Sequence, residues 1–508
     1  VIPVLALAIR QIAKLRHRAF LAGWVFGMGW FGAGISWVHV SIADFGGLPL
    51  VGSLAAGWVF GMGWFGAGIS WVHVSIADFG GLPLVGSLAI MALLCGYLSL
   101  FPALAFSLTS RFFTVNLWPL ALPFFWCLSE WLRSWLLSGF PWLSLGYSQI
   151  DSPLSGWAPI IGETGLTALL LIAASLLACN GFKRATLYGG LISLAIYVSG
   201  WLALQHAWVS PKQTYSVAMV QGNIPQSLRW VPEQDQPTMD KYLHLTEPLW
   251  NSDLIIWPEA AVPKLEPLAQ PYLARVNERA FNENTALITG IVNFNWETQE
   301  AWNNLIVLGK RTPTATLPDY QYFHNNRFAK HHLLPVGEFV PFEDWLRPLA
   351  PLFDLPMSSF ARGAYQQANL EANGIHLAPA ICFEIAFPRQ VAANLYANTD
   401  MIITVSNDAW FGRSHGPAQH LEIARMRALE FGRPVLRATN NGISAFIDAK
   451  GQITARLPQF EAGSLTAPVT ATEGLTPYRQ LGDLPMGILL TLLLIVSITS
   501  KKHRRLFS

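Results

Sequence analysis

The sequence predicts two folds in one chain: a polytopic α-helical membrane domain over residues 1–211 and an α/β domain of helix-covered sheets over 212–480. A last transmembrane helix and basic tail over 481–508 close the chain. Three observations carry this reading. Of 508 residues, 52% are hydrophobic and only 13% are charged, against roughly 25% charged in ordinary soluble domains. Apolar runs long enough to cross a bilayer core of about 30 Å, which takes about 20 helical residues, recur before residue 212 and again near the end. Between them the composition turns to Asn, Gln, Glu and Pro, with apolar runs only as long as strands.

Candidate spans lie near 21–43, 55–77, 82–108, 114–137, 157–179 and 184–203, and the segment 484–499 (LPMGILLTLLLIVSIT) supplies the last. Lys501, Lys502, His503, Arg504 and Arg505 follow it at once, so the carboxyl end is expected in the cytoplasm and the α/β domain on the outer side. Counting backwards puts Arg111, Lys183 and Arg184 inside, and the loop with Phe140, Pro141 and Trp142 outside. The chain starts at Val1 without a charged leader and cleavage site, so no signal peptide is expected, and the lack of an initiator Met suggests a missing amino end.

Residues 22–55 recur without a difference at 56–89, unlike any divergent structural repeat. If both copies span, the basic cluster Arg10, Lys14, Arg16 and Arg18 falls outside, against the positive-inside rule. With one spanning copy it falls inside. A recent duplication or an assembly error is therefore expected, with a copy that packs without spanning as the physical alternative.

In the α/β domain, strands are expected at Val217–Val220, Leu254–Trp257, Leu287–Ile291, Leu305–Leu308, Ile375–Ile381, Met401–Val405 and Ser444–Ile447. A helix is expected at Gln419–Phe431, with Leu421, Ala424, Ala428 and Phe431 on one side. Such alternation is the pattern of sheets covered by helices, and open sheets of this kind bind ligands beyond their strand ends. Three ends carry polar residues: Glu259 after the second strand, Cys382 after the fifth, and Ser406, Asn407 and Asp408 at the end of the sixth. Lys330 lies in the segment Arg327, Phe328, Ala329, Lys330, His331, His332.

The net charge of +2 gives no field to concentrate nucleic acid. Cys95, Cys127 and Cys179 lie in apolar runs, and four cysteines so scattered make neither a disulfide framework nor a zinc cluster. Only Cys382 has polar company. A cysteine with a base and a positive group beside it can form a covalent acyl intermediate. Glu259 could take the thiol proton, and Lys330 could stabilise the oxyanion. By residue type alone, a buried structural cysteine and an ordinary surface ion pair are the favoured reading. His331 and His332 diverge as neighbours and lack a third ligand, so no metal is expected. Asn407 and Asp408 read as loop organisers, and His415 and His420 as loop and helix-start residues.

The words around these residues are more specific. WPEAAVP around Glu259, FAKHHLLPVGEFVP around Lys330 and APAICFEIAFP around Cys382 resemble the three signature segments of the nitrilase superfamily, in order. They are closer still to its membrane branch, the apolipoprotein N-acyltransferases. VQGNIPQSLRW at 220–230, FPWLSLGYSQ at 140–149 and SNDAWFG at 406–412 extend the likeness to nearly the whole chain. The resemblance implies a nitrilase-like αββα sandwich and a catalytic set of Glu259 as general base, Lys330 as oxyanion-stabilising cation and Cys382 as acylated nucleophile. It implies Glu338 as a supporting carboxylate, and Glu384 and Trp230 as positions of functional weight. A solvated loop acid, a capping group and a packed aromatic are the plain readings of those three. Phe383 stands where many relatives have Tyr, and a packing role is expected of it.

The resemblance further implies an acyl chain passed from a phospholipid, phosphatidylethanolamine in particular, to Cys382 and then to the amine of a diacylglyceryl-cysteine apolipoprotein. The expected setting is a multi-pass monomer of the bacterial inner membrane, with the catalytic domain on the periplasmic side, no cofactor and no metal. Phe140, Trp142 and the stretch 349–360 are candidates for lipid access, with interfacial anchoring or core packing as the plain alternative. Two other functions remain open at this point: a membrane-tethered nitrilase-type amidase, and a non-enzymatic membrane scaffold.

Overall fold

The structure is a computed structural model and describes residues 6, 51–79, 83–179, 184–229, 231–335, 337–339 and 360–506. The chain divides into two compact units, one of residues 1–73, 83–207 and 477–508, the other of residues 74–82 and 208–476.

The first unit is helical: α1 (Val51–Gly68), α2 (Leu84–Phe112), α3 (Trp118–Arg133), α4 (Ala158–Cys179), α5 (Arg184–Leu204) and the last helix, Leu484–Leu506. Among the described residues, four helices are long and apolar enough to cross a membrane: Leu84–Phe112, Pro153–Ala178, Leu187–Leu204 and Leu484–Lys501. The span expected near 55–77 is a bent pair, Gly57–Gly68 and Trp71–Ala77, meeting at 59°. The span expected at 21–43 lies outside the described residues, as does the first copy of the repeat up to residue 50.

Small residues let α1 and α2 approach closely, as membrane helices do where no apolar driving force separates helix from lipid. A Cβ on Gly57 would stand 2.6 Å from the Ala103 Cα, and one on Gly61 2.6 Å from the Ser99 Cα. Leu187, Leu191, Leu194 and Val198 of α5, and Ile488, Leu492 and Ile495 of the last helix, are exposed. Faces so apolar suit a lipid solvent.

The segment 114–137 is shorter as a helix than expected. Helix α3 covers only 16 residues, about 24 Å at 1.5 Å per residue. After it, Leu137 at φ 51° and Gly139 at φ 78° turn the chain back. There the Arg133 Nη1 donates to the carbonyls of Phe140 at 2.6 Å and Trp142 at 2.7 Å. Glu130 accepts from the Trp126 indole at 3.0 Å and the Ser144 hydroxyl at 2.8 Å. The charges that shorten the span are thus paired inside the helical unit, as ionisable groups among membrane helices must be.

The second unit holds two mixed sheets. The first runs β13 (Gly463–Glu473), β1 (Ser210–Gln221), β2 (Leu254–Ile256), β4 (Ala286–Asn295), β5 (Glu300–Gly309) and β6 (Arg327–Ala329), with β3 (Val262–Leu265) also on β4. The second runs β12 (Ile453–Arg456), β11 (Ala445–Ile447), β10 (Val435–Thr439), β9 (Met401–Ser406), β8 (Ile375–Ile381) and β7 (Leu370–Ala372). In the first sheet β1, β2 and β4 are parallel neighbours, and in the second β8, β9 and β10.

Alternation along the strands decides the layers. Val217, Met219, Ile256, Ile288 and Val307 of the first sheet meet Leu377, Ile381, Ile403, Val405 and Leu436 of the second in one buried core. The intervening residues Ala218, Val220, Ile255, Leu287 and Ile306 pack instead on helices α6 (Pro232–Thr246) and α7 (Gln270–Asn282) through Met239, Tyr242, Leu273 and Val276. Helices α8 (Pro388–Ala393) and α9 (Gly416–Phe431) follow β8 and β9 in the second half. This is an αββα sandwich, and α9 is buried on every side rather than along the one stripe expected.

Candidate active site

Strand β8 is buried and nearly all apolar, and it ends where the backbone can no longer stay extended. Cys382 takes φ 53° and opens the short turn Cys382–Ala386. A non-glycine residue in that conformation costs of order 1–2 kcal/mol and persists only where neighbours hold it. Burial pushes the Cys382 thiol up to about 12, and the charge of Glu259 adds to this, while Lys330 opposes it. The resting sulfur therefore carries its proton.

Lys330 follows β6 and is almost wholly buried. Its main chain is clamped on both sides: its N–H donates to the Asn303 carbonyl at 2.9 Å, and its carbonyl accepts from Gly363 N–H at 2.9 Å. The Nζ lies 2.8 Å from Glu338 and 3.6 Å from Glu259. Burial alone would lower its pKa, but the two carboxylates outweigh burial and hold the ammonium well above its ordinary value.

Glu259 leaves the end of β2 and is oriented at both oxygens. Oε1 accepts from the Asn303 side chain at 2.8 Å, and Oε2 from the Asn407 backbone N–H at 2.9 Å. Asn303 also reaches Glu338 at 3.1 Å, so one amide group sets the spacing of both carboxylates around Lys330. The main chain of Glu259 rests on Gly290 of β4, where a Cβ would stand 2.3 Å from the Ala260 nitrogen and 2.7 Å from the Glu259 Cα.

A base, a cation and a thiol at adjoining strand ends can transfer an acyl group, and comparison with known proteins names the setting. The family model for the apolipoprotein N-acyltransferase N-terminal domain matches residues 1–56 and 52–177, and the carbon-nitrogen hydrolase model matches 216–478. The apolipoprotein N-acyltransferase of Vibrio cholerae is 49% identical over 488 residues, 95% of this chain and 88% of that protein. That of Shewanella oneidensis is 48% identical over 511 residues, 99% of this chain and 91% of the relative. The chain belongs to the apolipoprotein N-acyltransferase family. Among solved structures, Saccharomyces cerevisiae Nit3, a member of branch 10 of the nitrilase superfamily, aligns at 15% identity and a TM-score of 0.37, over 51% of this chain and 91% of that one.

In this member of the N-acyltransferase family, Glu384 is more than a cap. Its buried carboxylate accepts from the N–H groups of His331 at 2.8 Å, His332 at 3.0 Å and Ile381 at 2.8 Å, and from the Gln390 side chain at 2.7 Å. It ties the segment after Lys330 to the turn that presents Cys382. Burial pushes its pKa up against these hydrogen bonds. Glu338 likewise is no solvated loop acid: it pairs with Lys330 and accepts from Leu334 N–H at 2.8 Å. Phe383 packs edge-on against Phe387 at 5.0 Å and lies 5.8 Å from His332.

Trp230 lies outside the described residues, as does the stretch 349–360 apart from Phe360. Trp142 is 1% exposed and sits 5.5 Å from Trp71 within the helical unit, a packed residue rather than a surface contact. His331 Nδ1 is 2.8 Å from the Gly363 carbonyl, and among the described residues no group of three His, Cys, Asp or Glu is arranged for a metal ion. Sequence reading overlooked Asn303 and Arg229, and named Ser406 only as a strand-end residue. Asn303 lies inside a strand with nothing to mark it, Arg229 donates to the carbonyls of Glu259 at 2.7 Å and Ala260 at 3.0 Å, and Ser406 Oγ lies 3.7 Å from Cys382 Sγ. His420, read as a helix-start residue, is wholly buried.

Proposed function

We propose that this chain acylates the amino terminus of lipoproteins by a two-stage exchange through a thioester on Cys382. The observation that carries the reading is the buried arrangement of Glu259, Lys330 and Glu338, whose charges act on a single protonated thiol. In the first stage Glu259 takes the Sγ proton as sulfur attacks the ester carbonyl of a phospholipid. Lys330 and the backbone amide beside Cys382 meet the oxyanion. Proton transfer leaves the Glu259–Cys382 pair with one negative charge before and after, so the part of the thiol's elevation that Glu259 adds to burial vanishes as the thiolate forms. Collapse breaks the ester bond, and the departing lysophospholipid oxygen takes the proton back from Glu259.

In the second stage the free α-amine of a diacylglyceryl cysteine attacks the thioester and gives its proton to Glu259. Collapse breaks the C–S bond, forms the amide, and returns the proton to Sγ. Glu338 holds Lys330 in line, and Glu384 keeps the lysine segment and the nucleophile together. Trp230 and Phe383 are proposed on the substrate side. Phosphatidylethanolamine is the proposed donor, and the working unit a monomer.

The basic run after the last helix supports a cytoplasmic carboxyl end, with residues 212–480 as catalytic domain on the periplasmic face of the inner membrane and 1–211 with 481–508 as its membrane domain. Intact-mass analysis of the purified chain with phosphatidylethanolamine tests the chemistry. A fatty-acyl adduct on Cys382, discharged by a diacylglyceryl peptide to give its N-acyl form, is expected. No adduct together with rapid hydrolysis of a small amide would replace this reading with a membrane-tethered amidase. Cys382→Ala that still complements a strain lacking the acyltransferase would replace it with a scaffold.

A further inference from the structure

Beside Cys382 lies a second polar cluster that the exchange does not use. Asp408, His420 and Arg437 are 1%, 0% and 0% exposed. Arg437 of β10 donates Nη2 to Asp408 Oδ2 at 2.7 Å, and the same Nη2 is 3.2 Å from His420 Nδ1. Ser406 donates its hydroxyl to Asp408 Oδ1. The other imidazole nitrogen, His420 Nε2, lies 3.0 Å from the carbonyl oxygen of Cys382.

The tautomer follows from the partners. Nδ1 has mixed partners, the donor Arg437 Nη2 at 3.2 Å and the acceptor Asp408 Oδ1 at 3.3 Å, so the other nitrogen decides: a carbonyl only accepts, and Nε2 facing Cys382 therefore carries a hydrogen. Burial, and then the charge of Arg437, hold the imidazole below its ordinary pKa, against the opposing pull of Asp408. Asp408 and Arg437 thereby hold the ring from Nδ1 with Nε2 directed at the nucleophile's own peptide group. That peptide is a rigid plane whose C=O and following N–H point in opposite directions. A donor on the carbonyl of residue 382 therefore fixes the direction of the Phe383 N–H that follows the positive-φ Cys382.

We propose that His420, set by Asp408 and Arg437, is a positioning residue that holds the strained Cys382 peptide in its reactive geometry. The proposal rests on Cys382 being the acylated nucleophile. Gly442 supports it from the other side, because a Cβ there would stand 2.1 Å from Asp408 Oδ2, so the carboxylate is enclosed by backbone as well as by its partners.

The test compares His420→Phe with His420→Gln in the full chain, in detergent with phosphatidylethanolamine and a diacylglyceryl peptide. Glutamine keeps an N–H that can reach the carbonyl; phenylalanine keeps the ring volume only. His420→Phe is expected to slow acylation of Cys382 about 100-fold, the size of loss that follows a misplacement of about 1 Å, with KM for the peptide unchanged. His420→Gln is expected to recover most of that loss. Equal losses in both variants, or a loss in neither, would overturn the proposal. Should His420→Phe fail to fold, judged by its melting temperature, the glutamine variant decides alone: a rate within about tenfold of the parent supports positioning, and a loss of about 100-fold overturns it. Failure of the nucleophile assignment is read separately, since the unmodified chain would then form no adduct on Cys382.

Discussion

Glu259, Lys330 and Cys382 lie far apart in the chain, and each is set by neighbours outside its own signature segment. Asn303 spaces the two carboxylates, Asn407 lends a backbone N–H to Glu259, and Ser406 stands between Cys382 and Asp408. Asp408 has a measurable signature of its own. Arg437, His420 and Ser406 outweigh burial and hold its carboxyl down from 3.8 to about 2. A carboxyl held lower in the folded state stabilises that state fully above its unfolded value of about 3.9, and the contribution drains away as the pH falls toward 2. The shift corresponds to about 2 kcal/mol. Asp408→Asn should therefore unfold with a visibly flatter pH dependence between about pH 4 and pH 2, in denaturant titrations repeated across that range. A slope equal to that of the parent would refute the assignment. The three motif residues were legible because their surrounding words are distinctive; Asn303 was not, since an asparagine within a strand looks the same whether or not it faces a carboxylate.

At the scale of elements, the strands foreseen from apolar runs are the central ones, β1, β2, β4, β5, β8 and β9, whose both faces are covered and whose sequences are accordingly apolar. The strand foreseen at Ser444–Ile447 is also present, as Ala445–Ile447. Those unforeseen are short, or alternate with polar residues. Strand β13 has mostly exposed or half-buried positions over its first half, and β10 interrupts Val435, Leu436 with Arg437, a charge tolerated there only because Asp408 meets it. Such a residue breaks an apolar pattern until its partner is known. The contact between β4 and the turn after β2 gives a prediction about elements rather than side chains. Gly290→Ala would drive a methyl into the backbone at Glu259 and Ala260. Overpacking of this kind costs about 1–3 kcal/mol, and here it also displaces Glu259, the proposed base. The expected result is a fall in melting temperature with an acyl-transfer rate lowered at least about tenfold. A variant with parental rate would mean the base tolerates displacement.

At the scale of the whole molecule, the exact repeat is a matter of topology. The family's amino-terminal model matches the chain twice, and each match contains one copy: 22–55 falls in the first and 56–89 in the second. The described copy supplies the bent pair and the start of α2. A chain lacking residues 22–55 should keep its transfer activity and should label a cysteine placed beside Arg10 from the cytoplasmic side, as the basic cluster demands. Loss of activity on deletion would assign the first copy a part in the fold. The elevated pKa of Cys382 has a consequence at this scale too. Disulfides and peroxides are attacked by thiolates, and a sulfur that holds its proton reacts with them slowly. The space outside a bacterial inner membrane is oxidising, and a reactive cysteine exposed there would be spent on adventitious oxidation. On the proposed reading, in which Cys382 is the nucleophile and faces that space, the burial that keeps its proton in place also shields it from such oxidation.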